Sequence, residues 1–265
     1  MAAPILTLTT DFGLSDQYVG VMKGVILGIC PGASIVDISH TVTPYEIAEG
    51  AFLLAQAYPH FPRGTVHVVV VDPGVGTSRR PILAEAAGQY FIAPDNGVLG
   101  LVYAREEIKV RAVTAERYFR QPVSQTFHGR DIFAPVAAHL AACGRPARFG
   151  KRIADYLRRD DFARPLRTGK RIWTGAVLHI DHFGNVVTNF RLEDVPGLAE
   201  RPFWMTLGPH RIDVLARNYA ACPPGEPFLI VGSSGYLEIS LHQASAARAL
   251  GCAVGAPVEV TVPGR

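Results

Sequence analysis

The chain lacks the residue patterns of a disulfide-stabilised or metal-binding protein. Its 265 residues include four cysteines, and these are scattered with no Cys-x-x-Cys spacing: Cys30, Cys143, Cys222 and Cys252. That pattern argues against a disulfide framework or a zinc knuckle and is typical of reduced thiols in a cytosolic protein. The sequence also has no HxH, HExxH or DxDxD spacing. We therefore expect no bound metal.

Long apolar runs and dense blocks of basic residues are also missing. No segment approaches the ~18 consecutive apolar residues that a membrane span requires. Residues 1–5 lack the basic and apolar stretches of a signal peptide. We therefore expect a cytoplasmic protein with no membrane partner. The formal net charge is +3 without a cluster of Lys and Arg, which argues against nucleic acid as the main partner.

What the sequence does contain is enough apolar residues for a well-packed core, since 48% of the chain is hydrophobic and 18% is charged. Residues 1–160 alternate strand-like and helix-like segments, which predicts an N-terminal α/β sandwich domain around a central, mostly parallel sheet. The charged, proline-containing stretch at residues 161–170 is typical of a linker. In residues 171–265, short β-like runs between Gly, Pro and Asn turns predict a smaller C-terminal all-β, barrel-like domain.

Several N-terminal elements can be predicted individually. Strands are expected at residues 5–8, 34–38 and 65–71, followed by a hairpin of residues 82–85 and 90–93. Ser15 is expected to cap the first helix. Thr43 is expected to cap the second, because Pro44 and Glu46 supply the other parts of a capping box. A third helix is expected over residues 131–142.

The most informative segment is the valine run at residues 68–71, which ends at Asp72 and is followed by a turn with Pro73 and two glycines. A buried strand that stops at a carboxylate places it where open α/β sheets bind ligands, beyond the carboxyl ends of the strands. Arg79 follows this turn, and an arginine beside a carboxylate favours its ionised form. The alternative is a strand-end aspartate that bonds only within the turn, with Arg79 in solvent.

Three further polar clusters could carry chemistry. Asp11 follows the first strand and could accept hydrogen bonds from a ribose diol. His128 precedes a helix and could act as a general base or orient a water. In the C-terminal domain, Asp181 could hold an ammonium group and Asn185 an adenine edge. Each cluster has a structural alternative: a capping and turn segment, a buried structural histidine, and an Asx-rich hairpin.

Taken together and in order, the motifs of this chain resemble those of the S-adenosyl-L-methionine (SAM) hydroxide adenosyltransferases. These are adenosine-forming SAM hydrolases related to the SAM-dependent fluorinase and chlorinase. The resemblance spans residues 5–262. Its motifs are LTTDFG at residues 8–13, DxYVGxMKG at 16–24, TPY at 43–45, DPGVG at 72–76, APDNG at 93–97, FHGRDxFAP at 127–135, DxFGNxxTN at 181–189 and SSGYLEI at 233–239.

The resemblance implies that SAM and water react to give adenosine and L-methionine, with SAM as substrate and no cofactor. It also implies a homotrimer with each active site between the N-terminal domain of one subunit and the C-terminal domain of its neighbour. The implied catalytic set is Asp72, Arg79 and His128. The implied substrate contacts are Asp11 and Tyr45 at the ribose, Asn185 and Tyr219 at adenine, Asp181 and Ser233 at methionine, and further contacts from Asp16, Asn96, Phe127 and Ser234.

The sulfonium of SAM is already an excellent leaving group, so the protein must mainly supply a water aimed in line at the ribose C5′. Arg79 stays protonated, which leaves Asp72 or His128 to take the proton. A halogenase is the close alternative, but the fluorinase pattern has tyrosine in place of Asp72, and an ionised carboxylate would repel a halide. A non-catalytic module that binds SAM or adenosine is the third possibility. Residues 241–244 depart from the family pattern, which affects base recognition.

Overall fold

The structure is a computed structural model that describes residues 3–159 and 162–264. The chain divides into two compact units, Met1–Asp160 and Asp161–Arg265. The first is an α/β unit and the second is almost entirely β, so the fold class predicted from the sequence is confirmed.

The N-terminal unit is built on a seven-stranded sheet. In spatial order, its strands are β2 (Ser34–Ser39), β1 (Ile5–Thr10), β3 (Val66–Val70), β5 (Gln89–Pro94), β4 (Pro81–Ala86), β6 (Lys109–Ala112) and β7 (Arg152–Ile153). The pairs from β2 to β5 are parallel, and the pairs from β5 to β7 are antiparallel. The sheet is therefore mixed rather than mostly parallel, and β4 and β5 form the predicted hairpin.

Helices cover both faces of this sheet, and its central strand β3 is buried on both sides. The helices are α1 (Tyr18–Ile29), α2 (Ile47–Ala57), α3 (Gly100–Tyr103) and α4 (Ala134–Cys143). Val68 belongs to the apolar cluster that contains Met22 of α1 and Val136 of α4. Its neighbour Val69 belongs to the cluster that contains Leu54 of α2 and Val102 of α3. Such alternation produces the predicted sandwich.

Both predicted helix caps are wrong. The N-cap of α1 is Gln17 rather than Ser15, and α2 begins after Thr43 rather than at it. The chain turns before α2 because Tyr45 adopts a left-handed conformation, with φ of 72°. This turn lets the Tyr45 N–H donate to Asp11 Oδ2 at 3.0 Å. A long-range contact therefore replaces the local capping box.

The helix predicted at residues 131–142 is confirmed, and it is preceded by a turn of π-helix at Gly129–Phe133. A π-helical turn changes the direction of the side chains at its start, and such turns are frequent at functional sites. Here the turn follows directly after His128.

The C-terminal unit is an antiparallel eight-stranded sheet around a large apolar cluster that includes Trp173, Phe190 and Leu237. Its strands are β8 (Leu166–Gly169), β9 (Ile172–Ile180), β10 (Val186–Arg191), β11 (Trp204–Leu207), β12 (His210–Ile212), β13 (Phe228–Val231), β14 (Tyr236–Ser240) and β15 (Pro257–Thr261). A short helix, α5 (Ala246–Leu250), precedes β15.

The linker predicted at residues 161–170 needs correction, because Leu166–Gly169 is strand β8 and pairs with β9. Residue 161 lies outside the described residues. None of the helices in residues 3–159 and 162–264 has the length and hydropathy that a membrane-crossing helix needs.

A buried histidine lies in the middle of the N-terminal sheet and makes a prediction about stability. His67 on β3 is fully buried, with Nδ1 at 2.7 Å from Thr7 Oγ1 and Nε2 at 3.1 Å from Gln89 Oε1. Its ring also stacks on Phe91 at 5.0 Å. Burial lowers the pKa of His67 to about 4 from the usual 6.5.

We expect acid to destabilise the protein through His67. Between pH 6.5 and about 4 the unfolded chain binds a proton at this site and the folded chain does not. The free energy of unfolding should therefore decrease as the pH is lowered from 6.5 to about 4, by about 3 kcal/mol from this residue alone. Urea titrations at several pH values, compared with a His67→Gln variant, measure the contribution. An unchanged pH slope in the variant would contradict the assignment.

Candidate active site

A cleft opens at the carboxyl ends of β1 and β3, where the sequence predicted a site. Thr10 at the end of β1 is in register with Val70 at the end of β3. Asp11 and Asp72 therefore emerge side by side. The cleft has a volume of about 590 Å³, and its lining includes Asp11, Tyr45, Asp72, Phe127 and His128. We call it the N-terminal cleft.

The structure brings Asp72, Arg79 and His128 together, as the sequence implied. Arg79 Nε donates to Asp72 Oδ2 at 2.8 Å, and Arg79 Nη2 bonds to the same oxygen. Nη2 also lies 2.7 Å from His128 Nδ1. The ion pair is nearly inaccessible to solvent, since the Asp72 and Arg79 side chains are 4% and 9% exposed. The guanidinium therefore lies between the carboxylate and the imidazole.

A tight turn returns Arg79 to Asp72. The Val75 N–H donates to the Asp72 carbonyl at 3.2 Å, and the chain then passes through Gly76 with φ of 79°. A Cβ at Gly76 would overlap the backbone oxygen of Gln125. Glycine is therefore needed both for the left-handed turn and for the close approach of the segment that leads to His128.

The hydrogen bonds fix the tautomer of His128. A guanidinium can only donate, so Nδ1 must accept the bond from Arg79. A neutral imidazole carries a single N–H, so its proton is on Nε2. Burial and the adjacent Arg79 charge lower the pKa of His128 below its usual value. The one lone pair of the neutral imidazole is therefore occupied by the bond from Arg79.

The two carboxylate oxygens of Asp72 differ in their hydrogen bonding. Its Oδ2 accepts from Arg79, whereas Oδ1 is buried and has no hydrogen-bond partner among the described residues. Buried carboxylate oxygens normally accept at least one hydrogen bond. Oδ1 can therefore take a proton donor that enters the cleft.

Asp11 lies on the same cleft and has a raised pKa. Burial is the main cause, and the negative charge of Asp72 adds to it, while the hydrogen bond from the Tyr45 N–H acts in the opposite direction. Tyr45 itself is largely exposed at the rim. The arrangement suits a hydroxyl-bearing ligand, because a carboxylate accepts hydrogen bonds from hydroxyl groups.

Three further N-terminal residues were predicted to contact the substrate, and only one of them lines the cleft. Phe127 lines the cleft and contacts the Tyr18 ring edge-to-face at 5.0 Å. Asp16 is exposed and lies outside the lining. Asn96 also lies outside the lining. Its amide NH₂ donates to the Val71 carbonyl at 2.8 Å, and its amide oxygen accepts from the Val98 N–H at 3.1 Å. Asn96 therefore fixes the strand end that carries Asp72.

Two residues that support this cleft were missed by the sequence reasoning. His40 Nδ1 lies 2.8 Å from Thr10 Oγ1, and its carbonyl accepts from Gly13 at 2.7 Å, which holds both sides of the Asp11 loop. Asp131 is fully buried and accepts from the Ser124 N–H at 2.9 Å. Asp131 lies within the motif at residues 127–135 and His40 lies outside every motif, and only their three-dimensional partners show that they are supports.

The C-terminal unit has its own cleft, of about 1130 Å³, which we call the C-terminal cleft. It brings together the predicted residues Asp181, Asn185, Tyr219 and Ser233. Asp181 Oδ1 accepts from the Asn185 N–H at 2.8 Å, and Asp181 Oδ2 accepts from the Asn185 amide at 2.8 Å. The Asx-rich hairpin and the cleft wall are thus the same structure. Ser234 is placed outside the lining, with its Oγ buried.

Glu238 also lines the C-terminal cleft and was missed by the sequence reasoning. Its carboxylate accepts from the Tyr219 hydroxyl at 3.2 Å. Burial raises the pKa of Glu238, and Asp181 adds to the effect. The signal available in the sequence was a single carboxylate in an otherwise apolar strand, β14.

In the part of the chain that the structure describes, no three His, Cys, Asp or Glu side chains are grouped closely enough to hold a metal ion. The absence of a metal requirement stays a prediction.

Comparison with known families matches both units of the chain. The model for the SAM hydroxide adenosyltransferase N-terminal domain matches residues 6–150, and the model for the C-terminal domain of that family matches residues 175–259.

Similar proteins cover almost the whole chain. The (R)-S-adenosyl-L-methionine hydrolase of Thermus thermophilus is 37% identical over 261 residues, which is 95% of this chain and 97% of the relative. The hydrolase of the same name from Salinispora arenicola is 36% identical, with 98% of each chain covered. A fluorinase from Actinoplanes is 29% identical, with 97% of each covered.

A solved structure of similar fold is an uncharacterised conserved protein from Thermotoga maritima. It superposes with a TM-score of 0.85 at 37% identity and covers 97% of this chain and 99% of its own.

Proposed function

This chain belongs to the SAM hydroxide adenosyltransferase family, and we propose that it hydrolyses SAM to adenosine and L-methionine. The observation that carries the proposal is the buried Asp72 Oδ1, which has no described partner and lies beside the Arg79–His128 pair in the N-terminal cleft. Relatives that are named SAM hydrolases, at 36–39% identity, support the reaction type.

The chemistry requires one displacement at carbon. A water oxygen forms a bond to the ribose C5′ on the side opposite sulfur. The C5′–S bond breaks, and its electron pair converts the sulfonium into the thioether of methionine. No acid is needed for this leaving group. The protein contributes by orienting the water and by accepting the proton that it loses.

Asp72 is the group that takes this proton. Arg79 has no lone pair to offer, and the only lone pair of the neutral His128 ring accepts from Arg79. Oδ1 of Asp72 remains available, while Arg79 stabilises the charge on Oδ2. His128 is then a positioning residue that holds Arg79, and Asp11 binds the ribose hydroxyls.

The same geometry favours water over halide as the nucleophile. An anion placed next to a solvent-shielded carboxylate is repelled, and the repulsion is strong where the effective dielectric constant is low. Fluorinase relatives are more distant, at 28–29% identity, than the hydrolase relatives. A halogenase is therefore the less favoured activity.

The assay is to incubate the purified protein with SAM and chloride and to separate the products by chromatography. We expect adenosine and methionine in equal amounts and no 5′-chloro-5′-deoxyadenosine. Binding of SAM without adenosine above the uncatalysed background would instead support a non-catalytic binding module. A parallel reaction with chelator tests the metal prediction, which is overturned if activity is lost and one metal restores it.

We also propose that the protein is a homotrimer whose active sites combine the N-terminal cleft of one subunit with the C-terminal cleft of its neighbour. The separate clefts, each with part of the substrate-binding set, support this arrangement. Mixed trimers of Asp72→Asn and Asp181→Ala subunits test it. Random mixing should restore about a quarter of the sites in a cyclic assembly. If the mixed trimers recover no activity, the proposal of shared sites is contradicted.

The cytoplasmic location stays a prediction.

A further inference from the structure

Glu238 has no role in the reaction proposed above, yet the burial of its carboxylate lowers the stability of the fold. The residue lies on β14 and is 7% exposed. A buried carboxylate is destabilising unless hydrogen bonds compensate it. Its Oε2 accepts from the Tyr219 hydroxyl at 3.2 Å, a bond that reaches from the strand to the loop that carries Tyr219. We therefore expect the bond between Glu238 and Tyr219 to have a function that offsets the cost of burying the carboxylate.

Tyr219 is the residue at the other end of this bond. It lies in a short 3₁₀ turn, Tyr219–Ala221, between strands, and 45% of it is exposed. Its ring meets Phe228 edge-to-face at a centroid distance of 6.5 Å. Burial and the neighbouring Glu238 raise the pKa of Tyr219 to about 12, so its hydroxyl remains a donor at neutral pH.

Gly232 provides the space for the Glu238 carboxylate. A Cβ at this position would overlap Glu238 Oε1. The backbone of Gly232 is outside the left-handed region, so an alanine would be tolerated by the main chain itself. The absence of a side chain at position 232 therefore serves the carboxylate rather than a turn.

We propose that Glu238 is a positioning residue that holds Tyr219 as the aromatic wall of a nucleoside-binding site in the C-terminal cleft. The same cleft presents the amide of Asn185, whose NH₂ is bonded to Asp181 and whose oxygen can accept from an amino group. A flat aromatic face with an amide oxygen suits a planar base that carries N–H donors. The inference rests on the proposed function and assigns the base recognition of that site.

The physical effect is preorganisation. A loop tyrosine that is free to rotate loses conformational entropy when a base stacks on it, and this loss weakens binding. The bond to Glu238 restricts the ring before the ligand arrives. The contribution should therefore appear in affinity for the nucleoside, and it should leave the displacement at C5′ almost unaffected.

The experiment measures adenosine affinity by calorimetry, and kcat and KM with SAM, for a set of variants. Glu238→Ala and Gly232→Ala should each weaken adenosine binding about tenfold, the loss expected for one hydrogen bond to a charged group. We expect KM to rise similarly and kcat to change less than about threefold. Gly28→Ala is the matched control, because Gly28 is exposed in α1 and a Cβ there meets no described atom within 4 Å.

Two further variants separate positioning from direct ligand contact. Glu238→Gln keeps an oxygen that can accept from Tyr219 and should recover most of the affinity lost in Glu238→Ala. Tyr219→Phe combined with Glu238→Ala should bind no more weakly than Glu238→Ala alone, because both changes remove the same bond.

Equal losses in Glu238→Gln and Glu238→Ala would show that the charge touches the ligand, and additive losses in the double variant would show independent roles. Either result, or wild-type affinity in Glu238→Ala, overturns the proposal. If the wild-type protein releases no adenosine from SAM, the proposed function fails while the adenosine titrations still test Glu238. Far-UV circular dichroism of each variant identifies misfolding.

Discussion

Replacing Asp72 by Asn is expected to lower kcat for SAM hydrolysis by about 10²–10⁴-fold while the affinity for SAM stays nearly the same. The substitution keeps the size of the side chain and an oxygen that can accept from Arg79. It removes the basic carboxylate that is proposed to take the proton from water. A loss confined to kcat is the pattern of a group whose contribution arises in the transition state.

Single-turnover measurements separate this loss from product release, and equilibrium binding of SAM checks the affinity. Asp213→Asn is a suitable control, because Asp213 is a surface carboxylate with 58% of its side chain exposed. Turnover of Asp72→Asn within threefold of the wild type would exclude Asp72 as the proton acceptor. A rise in KM with an unchanged kcat would assign Asp72 to substrate binding instead.

The location of this site could be predicted from the sequence because a local pattern determined it. The valine run before Asp72 forms β3 at the centre of the sheet, and its apolar side chains face both helical layers. A strand that ends in a run of apolar residues is typically buried on both sides, and the first polar residue after the run then emerges at the sheet edge. Proximity of Asp11 then followed from the parallel pairing of β1 and β3.

Contacts between distant segments could not be predicted in this way. The capping box at Thr43 was a sound local signal, but the Tyr45 N–H bonds to Asp11 from the neighbouring loop and the helix begins later. Residues 166–169 are a different case, because their linker composition conceals a local hairpin with β9. At Thr43 a tertiary hydrogen bond outweighs a local preference of about 1 kcal/mol.

The choice between Asp72 and His128 as base also needed three-dimensional information. Residue types and spacing made both plausible, and the decision depends on which atom of Arg79 faces which nitrogen of the imidazole. The role of Glu238 is a similar case, since its partner Tyr219 lies on a loop. Sequence patterns located the polar groups, and their hydrogen-bond partners support the roles that we propose for them.

Replacing Arg79 by Met should destabilise the N-terminal unit by about 3–5 kcal/mol, because it leaves a buried carboxylate without its cation. Both side chains are almost fully shielded, at 9% and 4% exposure, so solvent cannot replace the lost partner. The change also removes the donor to His128 Nδ1. Turnover should fall at least as far as in Asp72→Asn, since neither the carboxylate nor the imidazole remains oriented.

Urea denaturation at one fixed protein concentration measures the stability loss. Both tryptophans, Trp173 and Trp204, lie in the C-terminal unit, so their fluorescence follows that unit while far-UV circular dichroism follows both. We expect Arg79→Met to shift the dichroism transition more than the fluorescence transition. Equal shifts of both would show that the substitution acts on the whole molecule rather than on the buried ion pair.

The double variant Asp72→Asn/Arg79→Met separates the structural role of the ion pair from its catalytic role. Removing both charges leaves no buried ion without a partner, so much of the stability lost in Arg79→Met should return. Turnover should nevertheless stay near the uncatalysed background, because no group remains to accept the proton. Recovery of both properties together would mean that Arg79 and Asp72 serve only to hold the turn in place. Recovery of stability alone identifies the pair as the catalytic centre.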